Sequence, residues 1–164
     1  MVELRVFGLA LDEKNQSPVL ILKDLAEEMV LPIWIGAMEA MAISLALNKV
    51  DFPRPMTHDL LLSAISGLGA VVSGVEITRV EEGTYFAELV LRLGEEERRI
   101  DSRPSDAIAL AVRAEAPVFV AEAVLAEAGI ASGESQHAVF KTDAAKKWTE
   151  ELEKISADDF KYKM

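Results

Sequence analysis

Val75-Glu76-Ile77-Thr78-Arg79-Val80-Glu81-Glu82-Gly83-Thr84-Tyr85-Phe86-Ala87-Glu88-Leu89-Val90-Leu91-Arg92-Leu93 is the most informative run in this chain. Val75 and Ile77 alternate with Glu76 and Thr78, Glu81-Glu82-Gly83 breaks the pattern, and Tyr85, Ala87, Leu89, Leu91 and Leu93 then alternate with Glu88 and Arg92. Successive strand side chains point to opposite faces, so this period of two around a glycine turn predicts an antiparallel hairpin with one buried face. Beyond it, Gly94-Glu95-Glu96 turns into a short strand over 98–101, and Arg103-Pro104-Ser105-Asp106 opens a helix through Arg113. Residues 117–120 read as extended and 121–128 as helical. Before the hairpin, β-branched and aliphatic runs at 2–11 and 18–22 flank a polar cluster and predict a second hairpin. Leu31-Pro32-Ile33-Trp34-Ile35 reads as a third strand that ends at Gly36.

Residues 37–50 carry Met38, Met41, Ala42 and Leu45 at helical spacing, with Ile43 and Leu47 on a second face, which predicts a largely buried helix. Asp51-Phe52-Pro53-Arg54-Pro55 stops it, and Thr57 is placed to cap a helix over 58–68. Hairpin-linked strands with interspersed helices give an α+β fold: a largely antiparallel or mixed sheet with packed helices.

The chain has 164 residues, 51% apolar and 27% charged, enough for one real core. Residues 1–130 form the expected domain, 131–142 a linker and 143–164 a helical appendix. In that appendix Trp148, Leu152 and Ile155 recur at i, i+4 and i+7, and the pattern leaves open whether the helix docks on its own body, a second subunit or a partner. The absence of cysteine excludes disulfides, thiolate metal sites and a cysteine nucleophile. A formal charge of -11 repels polyanions and argues against non-specific duplex binding. Met1-Val2-Glu3-Leu4-Arg5 is not a leader sequence, and Pro32, Gly36 and Glu39 interrupt the hydropathic window 29–47, so a cytoplasmic protein without a membrane segment is expected.

Two segments share one pattern. Arg54-Pro55-Met56-Thr57-His58-Asp59 and Arg103-Pro104-Ser105-Asp106 each run Arg-Pro, hydroxyl, carboxylate at a predicted helix start. Helix N-termini offer unpaired N–H groups, and a guanidinium adds a fork suited to phosphate oxygens. The plainer alternative is that Thr57 and Ser105 cap helices while Asp59 and Asp106 complement the dipoles. His58 is one of two histidines and could act as general base, phosphate contact or metal ligand; His137, in the expected linker, is given no role. Glu39, on an apolar helix, needs a cationic partner, with Arg54 or Arg103 as candidates, and Arg113 could add local positive charge. The sequence has no EF-hand, H-E-x-x-H, G-x-S-x-G or P-loop pattern.

Leu31-Pro32-Ile33-Trp34-Ile35-Gly36 through Glu39-Ala40, then Pro53-Arg54-Pro55-Met56-Thr57-His58-Asp59-Leu60, then Ile100-Asp101-Ser102-Arg103-Pro104-Ser105-Asp106-Ala107-Ile108-Ala109-Leu110, resemble the bifunctional nuclease domain family in order and spacing. The resemblance covers roughly residues 1–130. It implies an α+β domain, homo-oligomers, and nuclease activity on RNA and DNA, with RNA or single-stranded DNA as substrate. Under that expectation His58, Asp59, Arg103 and Asp106 are the catalytic candidates and Arg54, Thr57 and Ser105 the substrate-binding ones. Mg²⁺ or Mn²⁺ is the candidate cofactor, with Glu39, Asp59 and Asp106 as candidate ligands. The rival reading is a non-enzymatic module that binds an anion or a partner.

Overall fold

The computed structural model describes residues 1–12, 14–132 and 143–159. Eight strands form one sheet: β1 (Val2–Asp12), β2 (Ser17–Asp24), β3 (Met29–Trp34), β4 (Val71–Glu81), β5 (Thr84–Leu93), β6 (Glu96–Ser102), β7 (Val118–Val120) and β8 (Ile130–Ala131), in the order β6-β5-β4-β7-β1-β2-β3-β8. Every neighbouring pair is antiparallel except β4 with β7, so the sheet is mixed. The helices are α1 (Ala37–Leu47), α2 (Thr57–Gly67), α3 (Pro104–Ala114), α4 (Glu122–Ala128) and α5 (Asp143–Glu153).

The β4–β5 hairpin follows the alternation. Val75 pairs with Leu89 and Ile77 with Ala87, all four buried in the main core. Its two-residue loop, Glu82-Gly83, holds both residues at positive φ (50° and 78°), the conformation that matches the twist of paired strands. On the opposite face Glu76 sits directly across from Glu88, a repulsive pairing. Arg99 of β6 resolves it by bonding to both carboxylates and to Glu97.

Between the sheet and the helices lies a core that includes Leu4, Leu20, Leu22, Leu31, Ile33, Ile43, Ile77, Ile108 and Leu110. Helix α3 is the most deeply set element. Ala107, Ile108, Ala109, Leu110 and Ala111 are all buried, which requires neighbours on every side. Its alanines permit close approach, while Ile108 and Leu110 each contribute about 1.5–3 kcal/mol of burial.

Three expectations are corrected. Helix α1 is not largely buried: of the first expected face Leu45 is buried but Met38 is 76% exposed, of the second Ile43 is buried but Leu47 is exposed, and the inward side is Ala40, Ile43, Ser44 and Leu45. Apolar residues encircle this helix, so their spacing does not identify the inner side. The expected linker starts late, because Ile130 and Ala131 pair with Val30 and Met29 as β8 and the Ser132 N–H bonds the Glu28 carbonyl; residues 133–142, with His137, lie outside the described residues. Thr57 and Ser105 are not caps, as described below. The placement of the appendix, left open by its pattern, is also resolved. Helix α5 lies on its own body, with Leu152 buried and its carbonyl accepting a hydrogen bond of 3.3 Å from Asn48 Nδ2. It lies over the outer face of β1–β3, where Ala10, Val19, Ile21 and Val30 form a second small cluster. Among the described residues no helix is long and apolar enough to cross a membrane.

Candidate active site

The two Arg-Pro segments converge through their helix starts. Helix α2 begins at Thr57 with Met56 as N-cap, so Thr57 occupies the first helical position, exposed, and makes no cap. Asp59 closes the helix entry from the other direction, its Oδ2 accepting the Met56 backbone N–H at 2.9 Å. Helix α3 begins with Pro104, a residue suited to that position because its missing N–H would have no helical partner. Arg103 is therefore the N-cap, and Ser105, second in the helix, is buried at 6% exposure.

From these starts a row of four side chains crosses three helices. Arg103 donates from one terminal nitrogen to Glu39 Oε1 of α1 at 2.8 Å and from Nε to Asp106 Oδ2 at 2.7 Å. Asp106 Oδ1 lies 3.1 Å from His58 Nε2 of α2. The order is Glu39, Arg103, Asp106, His58. Of the two candidate partners for Glu39, the fold selects Arg103. Arg54 is exposed on the loop before α2 and has no hydrogen bond or ion pair among the described residues.

Asp59 and Arg113 form a separate pair. Arg113 Nε donates to Asp59 Oδ1 at 2.6 Å, and its terminal nitrogen donates to the carbonyls of Ala42 and Ala109 at 3.0 and 2.8 Å. Its side chain is only 10% exposed. The expectation that Arg113 adds charge to a binding surface is thus corrected: this guanidinium ties α1, α2 and α3 together.

The electrostatics follow from these contacts. Partial burial works against ionisation of Asp106, but hydrogen bonds from Arg103 and His58 and the charge of Arg103 outweigh it, holding the carboxyl below its ordinary value of 3.8. Asp59 shows the same balance: burial opposes its charge, while Arg113 and the Met56 N–H favour it and prevail. Arg103 is held more firmly protonated than usual, first by Asp106 and then by Glu39. An ionised carboxylate only accepts hydrogen bonds, so His58 Nε2 is the donor to Asp106, which leaves Nδ1 as the ring's other nitrogen.

The donor set does not fit the expected metal. Glu39 and Asp106 are bridged by a guanidinium, Asp59 is paired with another, and among the described residues no three His, Asp or Glu side chains are grouped to hold an ion. Two features of the site were not singled out from sequence. Gly36 lies three residues before Glu39, and a Cβ there would overlap Glu39 Oε2 and sit 3.1 Å from its Cδ. A cleft of about 350 Å³ opens beside Glu39 and Arg103, lined also by Tyr85 and Ser105. A Gly-x-x-Glu spacing at a helix start is the only sequence trace of the first; the second joins three separate segments, 33–39, 83–85 and 103–105, and leaves none.

Residues 20–133 match the sequence profile of the bifunctional nuclease domain. An uncharacterized protein of Mycobacterium tuberculosis (strain ATCC 25618 / H37Rv) is 39% identical over 165 residues, covering 98% of this chain and 99% of the relative. Bifunctional nuclease 2 of Oryza sativa subsp. japonica is 31% identical over 131 residues, 77% of this chain and 40% of that protein. Bifunctional nuclease 2 of Arabidopsis thaliana is 33% identical over 95 residues, 56% of this chain and 29% of that protein. The chain therefore spans less than half the length of either plant relative.

Proposed function

The chain belongs to the bifunctional nuclease domain family, and on that premise we propose that it hydrolyses phosphodiester bonds in RNA and DNA at the row Glu39, Arg103, Asp106, His58. The observation that carries this reading is the His58–Asp106 contact, which joins the first turns of two helices and backs an imidazole with a carboxylate. Asp106 fixes the ring and favours the tautomer with the proton on Nε2, so Nδ1 is free to accept a proton from the attacking water. That water's oxygen forms the new bond to phosphorus, and the ester oxygen leaves with its electron pair and takes up a proton.

Arg103 supplies the electrophilic side. Its side chain is 65% exposed, and Glu39 and Asp106 occupy only two of its five N–H donors. The remaining donors are available to phosphate oxygens, with Arg54 on the adjoining loop as a second cation. Glu39 and Asp106 act as positioning residues that hold the guanidinium from both sides. With a body this acidic, attraction for the polymer is confined to this local site, which favours accessible single strands over duplex.

The test is cleavage of end-labelled single-stranded RNA and DNA by highly purified protein, with and without EDTA, beside a folded His58→Gln variant. Proton transfer of this kind contributes about 10²–10⁴-fold, so the variant should lose that much. The net charge of -11, and the neutralisation of Arg103 by two carboxylates, favour a second reading: a module that binds a small anion without cleaving it. Phosphate binding with no cleavage by the wild type would select that reading.

A further inference from the structure

We infer that the cleft beside Arg103 receives one unstacked nucleobase, that of the nucleotide whose phosphate Arg103 holds; this rests on the reading of Arg103 as a phosphate contact. The cleft lies between the end of β3, the β4–β5 turn and the start of α3, and measures about 350 Å³. That volume is at the small end of ligand sites: it suits one nucleotide and is far too narrow for a duplex. Arg103 and Glu39 belong both to the row and to the cleft wall, so a phosphate on the guanidinium sits at the cleft mouth. The larger apolar cleft beneath α5, about 480 Å³, shares no residue with the row.

The wall chemistry is that of a base site. Ile33, Ile35 and Pro104 are apolar and Tyr85 aromatic, while Glu39 and Ser105 offer polar atoms to the N–H groups of a base edge. The Tyr85 hydroxyl donates to the Pro32 carbonyl at 3.5 Å, which anchors the ring at the boundary between core and cleft. Stacking of a base on an aromatic side chain contributes about 1–3 kcal/mol, or roughly 5–150-fold in affinity. A base within a duplex cannot enter such a cleft without leaving its stack, so the geometry selects single strands.

Calorimetric titration with adenosine 5′-monophosphate and with ribose 5-phosphate tests this. The two probes share a phosphate and a sugar and differ in the base. Wild-type protein should bind the nucleotide at least about fivefold more tightly. Thr84→Trp, at the exposed first residue of β5, should fill the cleft, reduce nucleotide affinity to the ribose 5-phosphate level and leave the latter unchanged. Tyr85→Leu should give an intermediate loss, with thermal melts confirming that both variants fold. Equal affinity for the two probes, or indifference to Thr84→Trp, overturns the inference. Cleavage assays on the same preparations separate the two claims. RNA cleavage together with equal affinity for the two probes keeps hydrolysis and overturns the base site; tighter binding of adenosine 5′-monophosphate without cleavage does the reverse. Failure to bind either probe overturns the base site together with the phosphate contact.

Discussion

Replacing Gly36 with alanine separates what positions the row from what holds the fold. Gly36 is the N-cap of α1 at φ -77° and ψ 163°, a conformation alanine adopts without strain. A new Cβ, however, takes the space of Glu39 Oε2 and lies 3.1 Å from Cδ. A glutamate carboxylate can swing away at little cost, so the fold is spared and the row is not. For stability, an alanine cap loses about 0.5 kcal/mol against glycine, and reduced freedom of the unfolded chain returns about 0.4–1 kcal/mol. The net change lies within about 1 kcal/mol, a Tm shift of roughly 4 °C or less. For activity, Arg103 loses its 2.8 Å anchor to Glu39, and misplacement of a transition-state contact by about 1 Å costs on the order of 10²-fold. Thermal melts and initial rates on end-labelled single-stranded RNA, taken on the same preparation, read both quantities. Cleavage within twofold of wild type would refute the positioning role. A Tm loss above about 10 °C would show that the Glu39 contact serves the fold instead.

Four further outcomes are expected. Arg113→Met removes the guanidinium from Asp59, which keeps only the Met56 N–H, and from two helix carbonyls, and should cost about 1–2 kcal/mol in urea unfolding; a loss under about 0.5 kcal/mol would contradict the bracing role. Asp106 and Asp59 titrate lower in the folded protein than in the unfolded chain, so their contribution is complete above about pH 4–5 and is lost as pH falls through the folded values. Melts at pH 6, 4 and 3 should show this decline and Asp106→Asn should flatten it; an equal slope in the variant would remove the assignment. Leu152→Ala should destabilise the protein by about 2 kcal/mol, because α5 covers the outer face of β1–β3, and denaturant melts equal to wild type would show that the helix does not contribute. Arg54→Ala should weaken phosphate binding without altering Tm, since the side chain is exposed and has no ion pair among the described residues; a fall in Tm would contradict that placement.

What could be read from the sequence depended on whether a residue's neighbours were local. The β4–β5 hairpin was legible because strand alternation is written in consecutive residues, and α3 because Arg-Pro-Ser-Asp marks its entry. The inward side of α1 was not, since exposed Met38 and Leu47 are as apolar as buried Ile43 and Leu45. Nor was the insertion of β7 between β4 and β1, because three residues carry too little pattern to specify a parallel pairing. At the site, Glu39 announced its need for a guanidinium, but the choice of Arg103 over Arg54 is a tertiary fact spanning 64 residues. Asp106 and His58 were each legible as helix-start residues, yet their contact joins positions 48 apart. Thr57 and Ser105 misled because a hydroxyl near a helix start suggests a cap, whereas Met56 and Arg103 hold the cap positions.

The most direct test of the proposed role of the row compares wild-type protein with an Arg103→Ala, Asp106→Asn double variant on single-stranded RNA and plasmid DNA, with and without EDTA, after circular dichroism confirms that both fold. Cleavage by the wild type and its loss in the folded variant is the result expected. Equal cleavage by both preparations, or by neither, would contradict the assignment of phosphodiester hydrolysis to Glu39, Arg103, Asp106 and His58.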